Sequence, residues 1–468
     1  MSRLSWHRVI WPALLILGAA ALCPAQAPRD FGEIEKVALE ELRALNVPGA
    51  AVGIVSGERL VFAKGFGTAN IETGAPVTPE MLFRLGSTTK MFTAAALVML
   101  AEEGRIRLGE PIGTAVRGLD PGLASLTAHQ LLSHTSGMLD EAPMYGSQDE
   151  SALAREVRSW NEDRLFTRPG DIYSYSNPAY WLAGYVIEEL SGKPYADAMN
   201  DRLFAPLGMA RTTFRPTVAM TYPLAQGHDA RAGQQPFIVR PHANNAASWP
   251  AGSIFSSVLD LSRFVIAFMN GGRIDGKQVL PPAVITRLST PYVAIPGDAD
   301  SRYGYGLIVR TYRGVRMLQH GGSRTGYGSL IWMAPDERCA VIVLANRSGA
   351  GMSRTADKAM ETMIALAPRP AEEKPPEMPL TDADRTSWPG IYFHPPSQKV
   401  EIVLKEGKPF LRRGTSELEI RKTGENSFMA LAPGSSQGQR YVLVPGKDGA
   451  IAYLFSGGRA IKKLYALK

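Results

Sequence analysis

Ser87 and Lys90 stand three residues apart in Leu85-Gly86-Ser87-Thr88-Thr89-Lys90, at the head of the apolar run 91–101. A serine hydroxyl is a weak nucleophile near neutral pH and needs a base beside it. If a helix starts near Ser87, positions i and i+3 share a face, and the Lys90 amine comes to the Ser87 hydroxyl. The first-turn N–H groups and the positive helix end would face the same point. The pattern equally describes a capping serine followed by a solvated lysine, so the pair needs partners before it means chemistry.

Three stretches could supply them. In Tyr173-Ser174-Tyr175-Ser176-Asn177 a phenol and an amide lie two residues apart. A free phenol ionises near about pH 10 and serves as a base near neutrality only where a cation such as Lys90 stabilises the phenolate. Asn177 could hold Lys90 and donate to a substrate carbonyl; with Pro178 it also reads as a helix N-cap and first residue. In His320-Gly321-Gly322-Ser323, at the end of a predicted strand, the glycines let a substrate backbone lie against a strand edge. The Ser323 N–H could pair with that of Ser87 as an oxyanion hole, and His320 could donate or carry a proton; the same residues also read as a turn. His134, in Ser133-His134-Thr135-Ser136-Gly137, has no acid placed beside it and reads as a buried structural histidine. His129, His228, His242 and His394 form no metal-ligand spacing, and no metal or cofactor is expected.

These residues must be positioned by an α+β arrangement. Apolar spacing predicts an amphipathic helix over 31–45, a hairpin from 50–55 and 60–65, and a buried helix behind Ser87, too short to span a bilayer. Further helices are expected at 127–133, capped by Thr127, at 178–190 and at 258–269. The stretch 138–174 reads as an irregular surface excursion. Four strands follow at 303–310, 315–320, 328–333 and 339–344, with turns at 313–314, 321–326 and 335–337. Proline and charge take over from 367 to 385, an exposed linker. Beyond it about eight short strands in 386–468 suggest a small β-barrel or sandwich.

The whole composition fits that layout. The chain has 468 residues, 45% hydrophobic and 20% charged, with a net charge of +7. Its Lys and Arg residues are scattered, so no nucleic-acid partner is expected. Cys23 and Cys339 are too few for a disulfide framework, and Cys339, in an apolar strand, reads as an inert buried thiol. Arg3 and Arg8, the apolar stretch 9–22 and Ala25-Gln26-Ala27 read as a signal peptide over 1–27, with lipidation at Cys23 as a weaker alternative. Export to the periplasm or beyond follows, with no membrane span after cleavage.

Taken jointly and in order, Ser87-x-x-Lys90, Tyr175-Ser176-Asn177 and His320-Gly321-Gly322 resemble the serine β-lactamase and penicillin-binding protein superfamily. The chain looks most like its class C β-lactamase, DD-peptidase, D-aminopeptidase and esterase branch. The likeness extends to 131–137, 206–209 and 344–346 and covers about residues 30–365; the distal segment resembles the small barrel some members carry. It implies a β-lactamase-like antiparallel sheet flanked by helices, over 28–366, and an all-β unit over 386–468. It further implies that Ser87 is acylated, that Lys90 and Tyr175 share proton transfer, and that Asn177 orients them. The N–H groups of Ser87 and Ser323 would bind the oxyanion, and His320, Gly321 and Gly322 would line the substrate. The substrate would be an ester, amide or D-amino-acid peptide, including peptidoglycan; a slowly turning-over penicillin- or peptidoglycan-binding sensor is the alternative. Where many members open the third motif with lysine, this chain has His320, mostly neutral at pH 7, which lowers the expectation of β-lactam hydrolysis. Arg324 or Arg347 could restore a cation.

Overall fold

Alternation along two adjacent strands sets the architecture. In Gly49–Ser56, Ala50, Val52 and Ile54 face one core while Ala51 and Val55 face another. In its partner Cys339–Ala345, Val341 and Val343 face the first core and Ala340, Ile342 and Leu344 the second. Successive strand residues point to opposite faces, so a strand buried on both must lie between two layers. The computed structural model, which describes residues 30–231, 233–371, 376–394, 398–432, 435 and 438–465, has that arrangement. The stretch read as an export signal lies outside the described residues.

The central sheet has nine strands in the order Val293–Ile295, Asp298–Tyr303, Ile308–Tyr312, Val315–Arg324, Tyr327–Ala334, Cys339–Ala345, Gly49–Ser56, Arg59–Asn70 and Ala75–Pro76. Every neighbouring pair is antiparallel. Helices Gly32–Ala44 and Ser353–Met363 cover one face. The other packs against Val258–Met269 and a larger helical region holding Thr89–Glu102 and Asn177–Ser191. The helix after Ser87 is buried on nearly every side, as its sequence predicts; Phe92 lies 4.3 Å from Phe264.

Three expectations change. The span 303–310 is two strands, broken where Gly306 takes φ +69° and presses so close that a Cβ there would stand 2.6 Å from the Lys90 carbonyl. The residues 321–324, read as a turn, continue strand Val315–Arg324, pairing Gly322 with Ser329. The stretch 138–174 is not all surface: helix Ala152–Arg158 buries Leu153 and Val157, and the Trp160 ring stacks 6.0 Å from that of Trp181.

Beyond residue 389 the alternating strands close on themselves. Gly390–His394, Gln398–Lys405, Lys408–Arg413, Ser416–Gly424, Ser427–Leu431, Gly438–Pro445, Ile451–Ser456 and Arg459–Tyr465 form a closed eight-stranded barrel. Trp388, Tyr392, Leu411, Phe428, Tyr441 and Leu454 fill it, as expected for a barrel this small. Within the stretch read as linker, Asp382–Ser387 is a short helix whose Asp384 pairs with Lys422 of the barrel. The barrel is anchored to the larger unit. Leu139, Phe166, Ile172 and Tyr173 pack against Tyr453, Phe455 and Ala460, and the Thr167 and Tyr453 hydroxyls meet at 2.7 Å.

Candidate active site

Ser87 sits not in an α-helix but in a 3-10 turn, Gly86–Thr88, that leads into helix Thr89–Glu102. The cap position of that helix is Thr88 and that of the turn is Leu85, so Ser87 is not the capping residue. Gly86 is required there twice. Its φ is +58°, the left-handed region that suits glycine, and a Cβ would lie 2.6 Å from the Ser323 nitrogen. Gly322 allows the matching approach, since a Cβ on it would lie 1.9 Å from the Leu85 carbonyl. The two glycines thus bring the backbone of Ser323 against the turn that carries Ser87. Gly321 has no such close neighbour; a Cβ there would meet nothing nearer than 3.8 Å.

Lys90, one helical turn on, is fully buried. Its Nζ lies 3.3 Å from Ser87 Oγ, 2.7 Å from Asn177 Oδ1 and 2.6 Å from the Ala251 carbonyl oxygen. The carbonyl and the amide oxygen can only accept, whereas a hydroxyl can also donate. An ammonium satisfies all three contacts by giving three protons, and a neutral amine does so by giving two and accepting from Ser87. Burial pushes the Lys90 pKa well down, opposed by the charge of Asp140 and helped by Arg459 and Arg324.

Asn177 is the first residue of helix Asn177–Ser191, not its cap. Ser176 caps it, accepting from the Ala179 N–H at 3.3 Å. That frees Asn177 to bridge: Oδ1 to Lys90, and both its backbone N–H and Nδ2 to Asp140 Oδ1 at 2.8 and 3.0 Å. The amide cannot flip without losing both contacts.

Tyr175 is held from behind by His134. The Ser174 N–H donates to the His134 carbonyl at 2.9 Å, the Ser176 N–H donates to His134 Nδ1 at 3.1 Å, and the two rings lie 4.2 Å apart. Because Nδ1 accepts, the neutral ring carries its proton on Nε2, among Tyr173, Tyr175, Tyr180 and Tyr303. His134 is thus the buried structural histidine read from the sequence, and it positions the Tyr175 loop. Lys90 Nζ lies 4.8 Å from the Tyr175 ring centre. The Tyr175 hydroxyl is buried and has no hydrogen bond of good geometry. Burial raises its pKa, against a smaller lowering from the nearby Ser87 hydroxyl.

His320 does not face substrate space. Its Nδ1–H donates to the Gly321 carbonyl at 2.6 Å and its Nε2 accepts from the Tyr303 hydroxyl at 3.0 Å. Burial, then the charge of Lys90, hold its pKa down at about 4. The sequence expectation of a substrate-lining His320 gives way to a neutral ring behind Tyr175, because both ring nitrogens are taken, one by the Gly321 carbonyl and one by the Tyr303 hydroxyl.

Ser87, Tyr175, Asn177 and Ser323 open onto one cavity of about 190 Å³. Its remaining walls hold Arg324, one of the two cations the sequence offers beside the third motif, and residues that no motif announced: Ala142, Met144, Trp181, Ser248, Ala251, Gly252 and Arg459. Arg459 opens the last barrel strand, just after the turn 457–458. Its Nε and Nη2 both lie 2.5 Å from Asp140 Oδ2, and its guanidinium stands 5.2 Å from the Tyr175 ring centre. The same turn gives the Gly458 carbonyl to the Tyr175 N–H at 2.8 Å. Arg347 is elsewhere, donating to the Leu45 carbonyl. Among the described residues, no group of His, Cys, Asp and Glu is placed to hold a metal ion. A larger groove of about 400 Å³, beside Leu39, Leu42 and Pro48, contains no nucleophile with a base.

A hydroxyl touching a buried amine, beside two backbone N–H groups and a protonated phenol, can carry out acyl transfer. The comparisons agree with that chemistry. A chain 25% identical over 437 residues, covering 82% of this protein and 79% of the relative, is the unguisins hydrolase ungD' of Aspergillus campestris. Penicillin-binding protein 4 of Amycolatopsis lactamdurans is 28% identical over 319 residues, covering 64% of this chain and 81% of its own. Among solved structures, SurE superposes with a TM-score of 0.76 at 27% identity, over 92% of this chain and 98% of its own, and has also been solved with D-Leu. A profile of the Beta-lactamase family matches residues 35–362, and with this fold the chain belongs to that family: a Beta-lactamase-family serine hydrolase fold with a closed C-terminal barrel.

Proposed function

We propose that the protein is an exported serine hydrolase that cleaves an ester, amide or D-amino-acid peptide through an acyl-enzyme on Ser87. The observation that carries this is the Lys90 contact. Its amine touches Ser87 Oγ at 3.3 Å while its other two hydrogen bonds are taken by acceptors.

Ser87 Oγ attacks the substrate carbonyl carbon as its proton passes to Lys90 Nζ. The negative oxygen of the tetrahedral intermediate sits between the N–H groups of Ser87 and Ser323. Collapse breaks the bond to the leaving group, which takes a proton from the Tyr175 hydroxyl; Lys90 returns the proton to Tyr175. Water then attacks the acyl ester, giving up its proton to Lys90, and Ser87 leaves as a hydroxyl. Asn177 keeps the lysine in line, held in turn by Asp140. Burial lowers Lys90 and raises Tyr175, which favours a neutral amine beside a phenol. This shifts the division of labour from a phenolate base supported by Lys90 to Lys90 as the base and Tyr175 as the proton relay.

The relatives support hydrolysis and a D-amino-acid substrate: one is named a hydrolase, and another has been solved with D-Leu. The residues 1–27 support export, and 28–366 and 386–468 form the two working units. Hydrolysis of p-nitrophenyl esters, D-alanyl amides and nitrocefin tests the reading. Turnover of at least one of the first two classes, abolished in Ser87→Ala, is expected; full activity in Ser87→Ala overturns it. A stable, undischarged penicillin adduct would instead favour the binding or sensing role, which the likeness to a penicillin-binding protein keeps in view.

A further inference from the structure

The positive charge of the chain is not shared between its two units. Residues 28–366 hold 33 Lys and Arg against 33 Asp and Glu, whereas 386–468 hold 13 against 6. The barrel unit thus carries an excess equal to the whole net charge of +7. Basic residues scattered along the sequence are gathered when the barrel strands pair.

That pairing lines up a row of side chains across the strands from Gln398–Lys405 to Gly438–Pro445. Lys405 stands opposite Lys408. Phe410 faces Glu419, so Lys408 and Arg421, each two residues on along its strand, share the next positions of the row. Arg421 is opposite Met429, and Met429 is opposite Arg440. Leu411, Ile420, Phe428 and Tyr441 point inward and fill the barrel, so by alternation the row is on the outside. Neighbouring strands lie about 4.8 Å apart, so its four cations span about 19 Å along the barrel surface.

Little on the barrel answers this charge. Lys405 and Lys408 are like charges directly opposite, an arrangement that costs stability. Lys405 shares Glu417 with Arg412, and Arg421 stands 3.9 Å from Glu377. Lys408 and Arg440 are exposed and pair with no acid among the described residues. Nor do these cations guard a strand edge, because a closed barrel has none. The row also has a direction. The larger unit packs against Tyr453, Phe455 and Ala460, and the row begins on strands that take no part in that cluster. It ends at Arg440, whose carbonyl accepts from Ser456 Oγ at 2.7 Å, beside the turn that meets Tyr175.

We infer that this row is a docking track for a flexible linear polyanion, a chain of repeated carboxylate or phosphate groups, and that it leads the polymer towards the turn beside the catalytic cavity. A flexible chain can follow a line of cations around a convex barrel, releasing counterions at each contact. A flat bilayer would meet only one or two of them, and the row offers no exposed large apolar side chain to enter lipid, since Met429 is half-buried. The track goes beyond the hydrolase reading and does not depend on it.

Calorimetric binding of polygalacturonate and of long-chain polyphosphate to the full chain, over a series of salt concentrations, tests it. At least one polymer should bind, with log Kd rising against log salt at a slope of about 3, near 0.7 for each of four cations as on a single-stranded polyanion. The joint variant Lys405→Gln, Lys408→Gln, Arg421→Gln, Arg440→Gln should weaken binding at least about ten-fold and flatten that slope. A control, Lys36→Gln, Arg59→Gln, Arg117→Gln, Lys277→Gln, removes the same charge from exposed positions on the larger unit and should bind as the wild type does. If the row variant does not fold, lysine acetylation of the wild type replaces it: bound polymer should protect Lys405 and Lys408 but not Lys36 and Lys277. Binding of polygalacturonate alone assigns the track to carboxylates and of polyphosphate alone to phosphates; either upholds it. Binding of neither polymer, equal loss in the two variants, equal protection of the four lysines, or affinity for phosphatidylglycerol vesicles alone overturns it.

Discussion

The cavity has two sides that are held in different ways. On one, Ser87, Lys90 and Ser323 are fixed by backbone within the larger unit. The Ala251 carbonyl takes the lysine, and Gly86 and Gly322 let two chain segments touch. On the other, Tyr175 and Asn177 are held through Asp140 and His134, and the barrel turn at 457–459 props up both. The first side is assembled from close packing and has little freedom; the second depends on charge pairs and crosses from one unit to the other. The difference separates attack from proton relay. The first side supplies the serine, its base and the oxyanion N–H groups, while the second supplies the relaying phenol and sets where the amine points and at what pH it is free.

Substitutions on the two sides should therefore differ in kind. Lys90→Met removes the base and should lower kcat about a thousand-fold, within the range for loss of a positioned base, measured on any substrate the wild type turns over. An effect under ten-fold would move the base elsewhere.

Asp140 and Arg459 offer a finer test, because they act on Lys90 with opposite sign. Asp140 raises the Lys90 pKa and Arg459 lowers it. If neutral Lys90 is the base, the acid limb of the kcat/KM profile reports that pKa. Asp140→Asn should move the limb to lower pH, and Arg459→Ala to higher pH. The Asp140 change should also cost more activity, on the order of 10-fold to 100-fold, because Asn177 loses its orientation as well. Shifts in the same direction would contradict Lys90 as the titrating group.

The smallest effect concerns stability. His320 and His242 are held down at about 4, both mainly by burial, with Lys90 acting on the first and Arg84 on the second. In the unfolded chain each would protonate near its ordinary value of about 6.5. Between those values the unfolded state binds more protons, so stability falls as pH drops from about 6.5 towards 4 and is flat above. Thermal melting followed across that window should show the loss, and His320→Gln should reduce it. A melting temperature that rises on acidification would contradict neutral buried histidines.

How much of this was legible depends on how local each feature is. The Ser87–Lys90 pair and the Tyr175 loop follow from short spacings, and the barrel from period-two alternation in 386–468. Asp140 and Arg459 lie 319 residues apart and are single charges in loops, with no periodicity around either. Ala251 acts through a carbonyl, which any residue type could supply. The broken strand at 303–310 did carry a signal, since an isolated glycine inside a strand pattern marks close approach; Gly304 and Gly306 were that mark. The inward turn of His320 was hidden because extending the strand through 321–324 requires knowing that Gly322 lies beneath Leu85.

The central claim is that Ser87 becomes acylated. Incubation of the full chain with a fluorophosphonate and, separately, with a penicillin, followed by peptide mass spectrometry, tests it directly. A single adduct on Ser87 is expected with the phosphonate at least, absent in Ser87→Ala and slowed in Lys90→Met. An unmodified Ser87 with both reagents, or labelling that persists in Ser87→Ala, would contradict it.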